Sequence, residues 1–264
     1  MPFNLLKRNK IVILLLFFFQ ALFTMEVGRA DDQGQSAQRA SLILRQIDDL
    51  WRGDSSHSLF SMQISTAHYT RTLRLEGWSL GTEKTLVRIL SPKKEQGVSS
   101  LKSGKHLYTY LPRTDRTIRL TSSMMMGSWM GSHFTNDDLV QESRREEDYE
   151  IKISFEGKRD GQDIIEFTLI PKPDAAVVWG KVRLVVLAGS LLPVEEVYYD
   201  EEFFQARIIT FSDMKKLGGQ IRPATMRVTP SDKPEEYTEI TYQLLDLDIP
   251  LSDSFFSLSQ LKRR

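Results

Sequence analysis

Most of the chain follows an alternation of apolar and polar residues that is typical of β-strands. Ile240, Tyr242 and Leu244 alternate with polar neighbours, and Leu73 and Leu75 do the same. A period of two turns one face of a strand to the core and the other to solvent. Strand patterns occur at 58–68, 70–78, 84–90, 97–101, 105–111, 116–121, 149–156, 163–170, 180–188, 193–199, 204–212, 221–229 and 236–246. So many consecutive strands predict a mainly β, antiparallel fold that curls into a barrel or folds over as a sandwich.

One long amphipathic helix is predicted over residues 36–52, because its apolar positions recur at helical spacing. These positions are Ala40, Ile43, Leu44, Ile47, Leu50 and Trp51. Gly53 follows where a helix commonly ends. The spacing leaves two interpretations open: the helix covers one face of the sheet, or it closes the mouth of a barrel.

Residues 121–142 interrupt the strand pattern with a segment that is rich in methionine and aromatic residues. Its large apolar side chains are Met124, Met125, Met126, Trp129, Met130 and Phe134. Methionine is flexible and polarisable, so such a segment suits a surface that repacks around variable apolar groups. The alternative is a short loop and helix whose apolar residues fill the core. Thr135 precedes Asp138 by three residues, which predicts a capped helix start.

The first thirty residues have the features of a secretory signal peptide. Basic residues precede an unbroken apolar run over 11–19, and Gly28 and Ala30 stand before an expected cleavage point at Asp31. The alternative is an uncleaved anchor, but the run is shorter than the roughly 20 residues of a spanning helix. We therefore expect residues 1–30 to be removed and residues 31–264 to form a single exported domain.

Charge and cysteine content exclude several classes of function. Residues 1–30 carry four of the 35 basic and one of the 35 acidic residues, which leaves 31 basic and 34 acidic residues in 31–264. This balance argues against nucleic acid or an anionic membrane surface as the main partner. The chain has no cysteine. It therefore lacks a cysteine for lipid attachment, a disulfide framework and a thiolate metal site.

No pattern in the sequence indicates an enzyme, a metal site or a cofactor. The histidines, His57, His68, His106 and His133, do not form a metal-binding pair at helical spacing. The serines do not form a nucleophile elbow, and no phosphate-binding loop is present. The mixed-charge run 142–150 is typical of a solvated face, and the neighbouring carboxylates Glu195 and Glu196 are expected in solvent.

The region from Lys84, KTLVRILSPKKEQGVSSLKSGKHLYTYLPRTDRTIRL, resembles the outer-membrane lipoprotein-sorting protein family, the LolA-like superfamily of periplasmic carriers. The next segment, TSSMMMGSWMGSHFTNDDL, is similar to a signature of one branch of that family. LIPKP at 169–173, LLPVE at 191–195 and FSDMKKLGGQIRP at 211–223 match the same branch in order. The resemblance spans about residues 40–260.

The resemblance implies a half-open antiparallel β-barrel around an apolar cavity, with helices covering the cavity mouth. It implies a periplasmic carrier of lipid or lipoprotein acyl chains, monomeric, which works with an inner-membrane transporter and an outer-membrane acceptor. The expected lid or cavity rim is formed by Met124, Met125, Met126, Trp129, Met130, Phe134, Ile43, Ile47 and Trp51. Carriers of this family hold the lid closed with a barrel arginine. Arg88 lies in the corresponding strand region but not in a matching motif.

Two alternatives from other classes stay open. The chain could be an accessory subunit that docks on an inner-membrane exporter without carrying a ligand, with the methionine-rich segment as its contact surface. It could also be a hydrolase that acts on lipid or envelope polymer. A histidine beside a serine or carboxylate in the cavity, at His106 or His133, would indicate the hydrolase.

Overall fold

The computed structural model describes residues 36–47, 53–141, 145–175 and 177–263. Thirteen β-strands lie within these ranges, and each segment with a predicted strand pattern forms one. The strands are β1 Ser55–Ser65, β2 Thr70–Leu80, β3 Lys84–Ser91, β4 Ser99–Ser103, β5 His106–Leu111, β6 Arg116–Arg119, β7 Tyr149–Arg159, β8 Gln162–Pro171, β9 Lys181–Leu187, β10 Pro193–Tyr199, β11 Gln205–Leu217, β12 Gln220–Pro230 and β13 Tyr237–Leu247.

All thirteen strands form one antiparallel sheet, in the order β6-β5-β4-β3-β2-β1-β13-β12-β11-β10-β9-β8-β7. Two meanders, β1 to β6 and β7 to β13, are joined where β1 pairs with β13. The edge strands β6 and β7 do not pair with each other in the described part of the chain. The predicted mainly β antiparallel fold is therefore confirmed, as an open sheet and not as a closed barrel.

The helices within the described ranges are few and short. Helix α1 covers residues 36–47, and the remaining helices are α2 Asp138–Gln141, α3 Arg145–Asp148 and α4 Leu258–Leu261. The helix predicted over 36–52 is thus present as far as residue 47, whereas Leu50 and Trp51 lie outside the described residues. We call residues 120–148 the crossover segment, because it connects the two edge strands.

The start of α2 has the predicted capping arrangement. The Thr135 backbone N–H donates to Asp138 Oδ2 at 2.7 Å, and the Asp138 N–H donates to Thr135 Oγ1 at 3.2 Å. Two backbone donors at the helix start are satisfied in this way. The capping arrangement also fixes the orientation of the Asp138 side chain.

The main apolar core lies on the inner face of the sheet. Inward-facing residues of both meanders pack there together with Ala40, Leu44 and Ile47 of α1. A second cluster lies on the outer face, where Leu86 and Leu101 pack against the C-terminal segment. Because strand residues alternate between faces, Leu86 belongs to the outer cluster while its neighbour Val87 faces the inner core.

Candidate functional site

A cavity of about 250 Å³ lies between the inner face of the sheet, helix α1 and the crossover segment. Its volume is close to the lower end of the roughly 300–1,000 Å³ that is usual for ligand pockets. The apolar part of its wall comes from both meanders and includes Phe60, Val87, Leu169, Val182, Ile209, Phe211, Met226 and Ile240. The inner face of the sheet is therefore not completely filled by side chains of the described residues.

Three of the predicted site residues line this cavity: Ile47, Trp129 and Phe134. Ile47 comes from α1, and the two aromatic residues come from the crossover segment. All three are buried and belong to the main core. Ile43 is partly buried and packs against the same core without lining the cavity. The structure thus brings α1 and the crossover segment together at one space, whereas Trp51 lies outside the described residues.

The four methionines of the predicted site do not line the cavity. Met124 and Met126 are 42% and 54% exposed. Met125 packs on a small separate cluster with Leu107 and Leu120, and Met130 is partly buried against the main core. The cavity instead contains a methionine that the sequence did not single out, Met226 of β12. The methionine-rich segment therefore presents much of its apolar surface away from the cavity.

Hydrogen bonds hold Trp129 and its loop in place. The indole Nε1–H of Trp129 donates to Ser100 Oγ at 3.2 Å, and the Trp129 backbone N–H donates to the Phe134 carbonyl at 2.8 Å. Arg71 of β2 donates to the Met130 carbonyl and, at 2.6 Å, to Glu95 Oε1. These bonds tie the aromatic part of the crossover segment to β2, β4 and the turn that follows β3.

A buried ion pair connects the crossover segment to β11. Arg207 donates to both carboxylate oxygens of Asp138, at 2.6 and 2.7 Å. Its guanidinium carbon also lies 4.4 Å from the ring centre of Trp179 and 4.3 Å from that of Tyr198. Burial by itself would lower the pKa of Arg207, but the charge and hydrogen bonds of Asp138 outweigh this effect, so the pKa is raised. Arg207 is therefore charged and held by its partners.

A second buried pair connects the crossover segment to β10. Arg145 of α3 donates to both carboxylate oxygens of Glu196 at 3.1 Å, and the Tyr198 hydroxyl donates to Glu196 Oε2 at 2.6 Å. Burial, and then the charge of Glu196, raises the pKa of Tyr198 well above its usual value, so its hydroxyl keeps its proton. Both ion pairs and Tyr198 line the cavity.

These charged groups correct two expectations from the sequence. Arg145 and Asp148 belong to the mixed-charge run that was expected to be solvated, but both are buried. Glu196 was likewise expected in solvent, yet it is only 5% exposed. The sequence did contain a signal for the burial of Glu196, because alternation along β10 places it on the same face as Tyr198. The pairing with Arg145, which is 51 positions away, leaves no mark on the local pattern.

In the described part of the chain, Arg88 contacts the C-terminal segment and Trp78. Its Nη2 donates to the Gln260 carbonyl at 2.7 Å, and its guanidinium carbon lies 5.5 Å from the ring centre of Trp78. It therefore holds the C-terminal segment on the outer face of the sheet. The crossover segment is bound from the sheet by Arg71 of β2 and by Arg207 of β11.

Neither histidine that could indicate a hydrolase lines the cavity. His106 contacts Arg119 at 2.7 Å on the surface. His133 contacts Thr238 Oγ1 at 2.8 Å and Glu236 Oε2 at 3.2 Å, outside the cavity. Within the described ranges, no group of three or more His, Asp or Glu residues could hold a metal ion. A long apolar helix that could cross a membrane is also not found among those residues.

Three solved structures share the fold. A domain described as an outer membrane lipoprotein-sorting protein from Vibrio parahaemolyticus is 23% identical, with a TM-score of 0.74, over 86% of this chain and 100% of that one. A DUF1329 family protein from Desulfovibrio piger is 22% identical, with a TM-score of 0.76, over 86% and 99%. A LolA superfamily protein from Nitrosomonas europaea is 22% identical, with a TM-score of 0.71, over 84% and 98%.

Sequence comparison adds the family. No curated protein matches the sequence. A family model with the description "Uncharacterized protein" matches residues 81–263, which is more than half of the chain. The resemblance to lipoprotein-sorting proteins over about residues 40–260 is confirmed by the solved structures at the level of the fold. The chain thus belongs to the family that this model describes, and it shares its fold with solved proteins that are described as a lipoprotein-sorting domain and a LolA superfamily protein.

Proposed function

We propose that the protein is a periplasmic carrier that binds a lipid or lipoprotein acyl chain in its cavity and shuttles it between membranes. The observation that carries this proposal is the cavity of about 250 Å³ on the inner face of an open sheet. A fold of the LolA superfamily is consistent with a carrier-type role. Binding is hydrophobic and involves no covalent chemistry.

The energetics favour a container of this kind. Burial of a methylene group gains roughly 0.8 kcal/mol, so an acyl chain with ten buried methylenes gains about 8 kcal/mol. A chain with that affinity for a membrane crosses water only inside an equally apolar space. The inward-facing side chains of Val87, Ile209 and Ile240 supply such a wall.

The carrier proposal gives helix α1 and the crossover segment the role of a lid over the cavity mouth. We call the pairs Arg207–Asp138 and Arg145–Glu196 the latch, because each joins the sheet to the crossover segment. With the latch closed, the cavity is near the lower limit for a ligand pocket. Opening would separate both pairs and widen the space for an acyl chain.

The proposal places the carrier in the periplasm after removal of residues 1–30. There the monomeric domain 31–264 would receive its ligand from an inner-membrane transporter and deliver it to an outer-membrane acceptor. The exposed part of the methionine-rich segment, Met124 and Met126, would contact these partners.

A matched pair of variants on β11 tests the proposal. Ile209 is buried and lines the cavity, whereas its neighbour Thr210 is exposed on the opposite face. Ile209→Phe fills part of the cavity and should weaken the binding of a fluorescent fatty acid on the order of tenfold or more. The larger side chain takes space from the ligand, and a bound acyl chain would overpack what remains. Thr210→Phe should leave binding unchanged. Equal affinity in both variants, or no fatty-acid binding by the parent protein, would contradict the proposal.

Exposed methionines also favour the accessory subunit as a second candidate. Such a protein would use Met124 and Met126, 42% and 54% exposed, as a docking surface on an exporter and would carry no lipid. Changing both residues to serine should then abolish capture of a transporter from solubilised membranes. Fatty-acid binding by the same double variant separates the two functions, because the carrier should still bind and the accessory subunit should not.

A further inference from the structure

The inward-facing positions of β1, β2 and β3 change character along the strands. Towards one end they are large and apolar, as at Met62, Leu73 and Ile89, and all three belong to the main core. Towards the other end they are small, and most carry a hydroxyl. We call Ser56, Ser58, Ser79 and Thr85 the hydroxyl patch; all four line the cavity.

Strand pairing brings the hydroxyl patch together. Ser79 lies opposite Ser56 in the β1–β2 pair and opposite Thr85 in the β2–β3 pair. In the adjacent row Ser58 lies opposite Gly77, which in turn lies opposite Val87. Directly opposed side chains are separated by about 5 Å between their Cβ atoms, so the hydroxyls form one continuous polar surface.

The patch retains hydrogen-bonding capacity that the protein does not use. Each hydroxyl can donate once and accept twice. Ser56 Oγ and Ser79 Oγ lie 2.6 Å apart, so one of them donates to the other and the second keeps its proton for another partner. Ser58 Oγ donates to the Gly77 carbonyl over a long 3.4 Å, and Thr85 has no hydrogen bond to its side chain from any described residue. Ser79 and Thr85 are partly buried, and a ligand oxygen beside them would accept hydrogen bonds from the hydroxyls that keep a free proton.

Gly77 allows the hydroxyl patch to adjoin the apolar wall closely. A Cβ atom at this position would stand 2.9 Å from Ser58 Oγ and 3.4 Å from Phe60 Cε1. The Ser58 hydroxyl and the Phe60 ring therefore pack closely against β2 where a side chain would otherwise stand, so hydroxyls and an apolar surface adjoin in this part of the cavity wall. A ligand at this wall would contact hydroxyls on one side and apolar groups on the other.

The chemistry of the patch is neutral. The charged residues of the cavity wall, the latch pairs, come from β10, β11 and the crossover segment, and each is paired with a residue of opposite charge. From these observations, and resting on the proposed carrier function, we infer that the hydroxyl patch binds the uncharged ester linkage and hydroxyls of an acylglycerol. The acyl chain then lies along Phe60, Val87 and Ile240.

Two ligands with the same acyl chain test this inference. The purified protein is loaded with a fluorescent fatty acid, which is then displaced by 1-palmitoylglycerol or by palmitate. We expect 1-palmitoylglycerol to displace the probe at a concentration on the order of tenfold lower, because only it can use the neutral hydroxyl surface. Tighter binding of palmitate would overturn the inference, since it would indicate recognition of a carboxylate by an arginine.

Removal of the hydroxyls locates the effect. Ser79→Ala with Thr85→Val should abolish the preference and leave the affinity for palmitate unchanged. The control is Ser61→Ala with Thr72→Val, which makes the same chemical changes on the outer face of β1 and β2 and should keep the preference. A preserved preference in the Ser79/Thr85 variant would contradict the inference.

The comparison within the parent protein needs no substitution, so the inference can fail even if the double variant does not fold. Failure of the parent protein to bind the fluorescent probe at all would contradict the carrier function itself. Equal binding of the two competitors would leave the carrier function standing and overturn only the role of the hydroxyl patch.

Discussion

The substitution Arg207→Met tests how strongly the crossover segment is held to the sheet. The Arg207 side chain is 5% exposed and makes two hydrogen bonds to Asp138, whose side chain is 17% exposed. Methionine keeps most of the volume but leaves a carboxylate without its cation in a largely buried position. Breaking one side of a buried ion pair typically costs about 3–5 kcal/mol in the free energy of unfolding. The lost contacts with the rings of Trp179 and Tyr198 act in the same direction.

Urea and thermal denaturation, followed by circular dichroism, measure this loss. We expect the melting temperature to fall by roughly 10 °C, given about 2–4 °C per kcal/mol for a domain of this size. Because the pair is buried, the loss should change little with salt concentration. Arg227→Met is the matched control. Arg227 also pairs with a carboxylate, Glu239, and lies over a tyrosine ring, but its side chain is 45% exposed. It should cost less than about 1 kcal/mol.

The double variant Arg207→Met with Asp138→Leu separates an unpaired charge from lost packing. Replacing a whole buried ion pair by apolar groups is often nearly neutral, so most of the stability should return. About 1 kcal/mol should remain lost, because Asp138 also accepts the hydrogen bond from the Thr135 N–H. Equal losses from Arg207→Met and Arg227→Met, or no recovery in the double variant, would refute the view that a buried charge pair holds the crossover segment.

Two further predictions concern other contacts of the same sheet. Gly77→Ala should destabilise the fold by about 1–3 kcal/mol through overpacking. Adding Ser58→Ala should restore part of the lost stability, because Ser58 Oγ is the nearest atom to the new Cβ. Chemical denaturation of the single and double variants measures both effects. The hydrogen bonds from the Ala67 N–H and from His133 lower the pKa of Glu236. The ionised form of Glu236 therefore stabilises the fold above the ordinary glutamate pKa of about 4.3. This stability is lost as the pH falls through the lower pKa of the folded state. Glu236→Gln should therefore be less stable than the parent protein at neutral pH, with a gap that narrows in acid; a gap that stays constant across that range would contradict the assignment.

The sheet could be predicted well from the sequence, because its strands are amphipathic. The alternation of apolar and polar residues indicates which face of each strand is buried. All thirteen strand segments were recognisable, and in every one of them except β6 one face carries residues of an apolar cluster. The capped start of α2 was recognisable for a similar reason, as the two residues involved are three positions apart. Local patterns thus predict local geometry.

The cavity could be predicted only in part, because its wall depends on contacts between distant segments. Trp129 and Phe134 line it, whereas Met124 and Met126 of the same segment are exposed. The composition of the segment placed all four residues in the predicted site. Only the tertiary contacts of the crossover segment determine which of them line the cavity and which are exposed. Arg207 was overlooked, although it shares the inner face of β11 with Ile209 and Phe211 at a spacing of two. A charged residue within such an alternation is the signal that marks a buried ionic contact.

The combination of apolar walls and buried ion pairs suits the proposed carrier, which must both hide and release its ligand. Apolar packing alone would make opening costly in proportion to the area exposed to water. A buried ion pair behaves differently, because its charges are well solvated once they separate, and hydration offsets much of the lost attraction. Arg207–Asp138 and Arg145–Glu196 can therefore fix one closed geometry while adding little to the cost of opening. If the crossover segment were instead held by apolar packing alone, closure of the cavity and release of the acyl chain would depend on the same apolar surface. Tighter closure would then directly oppose release.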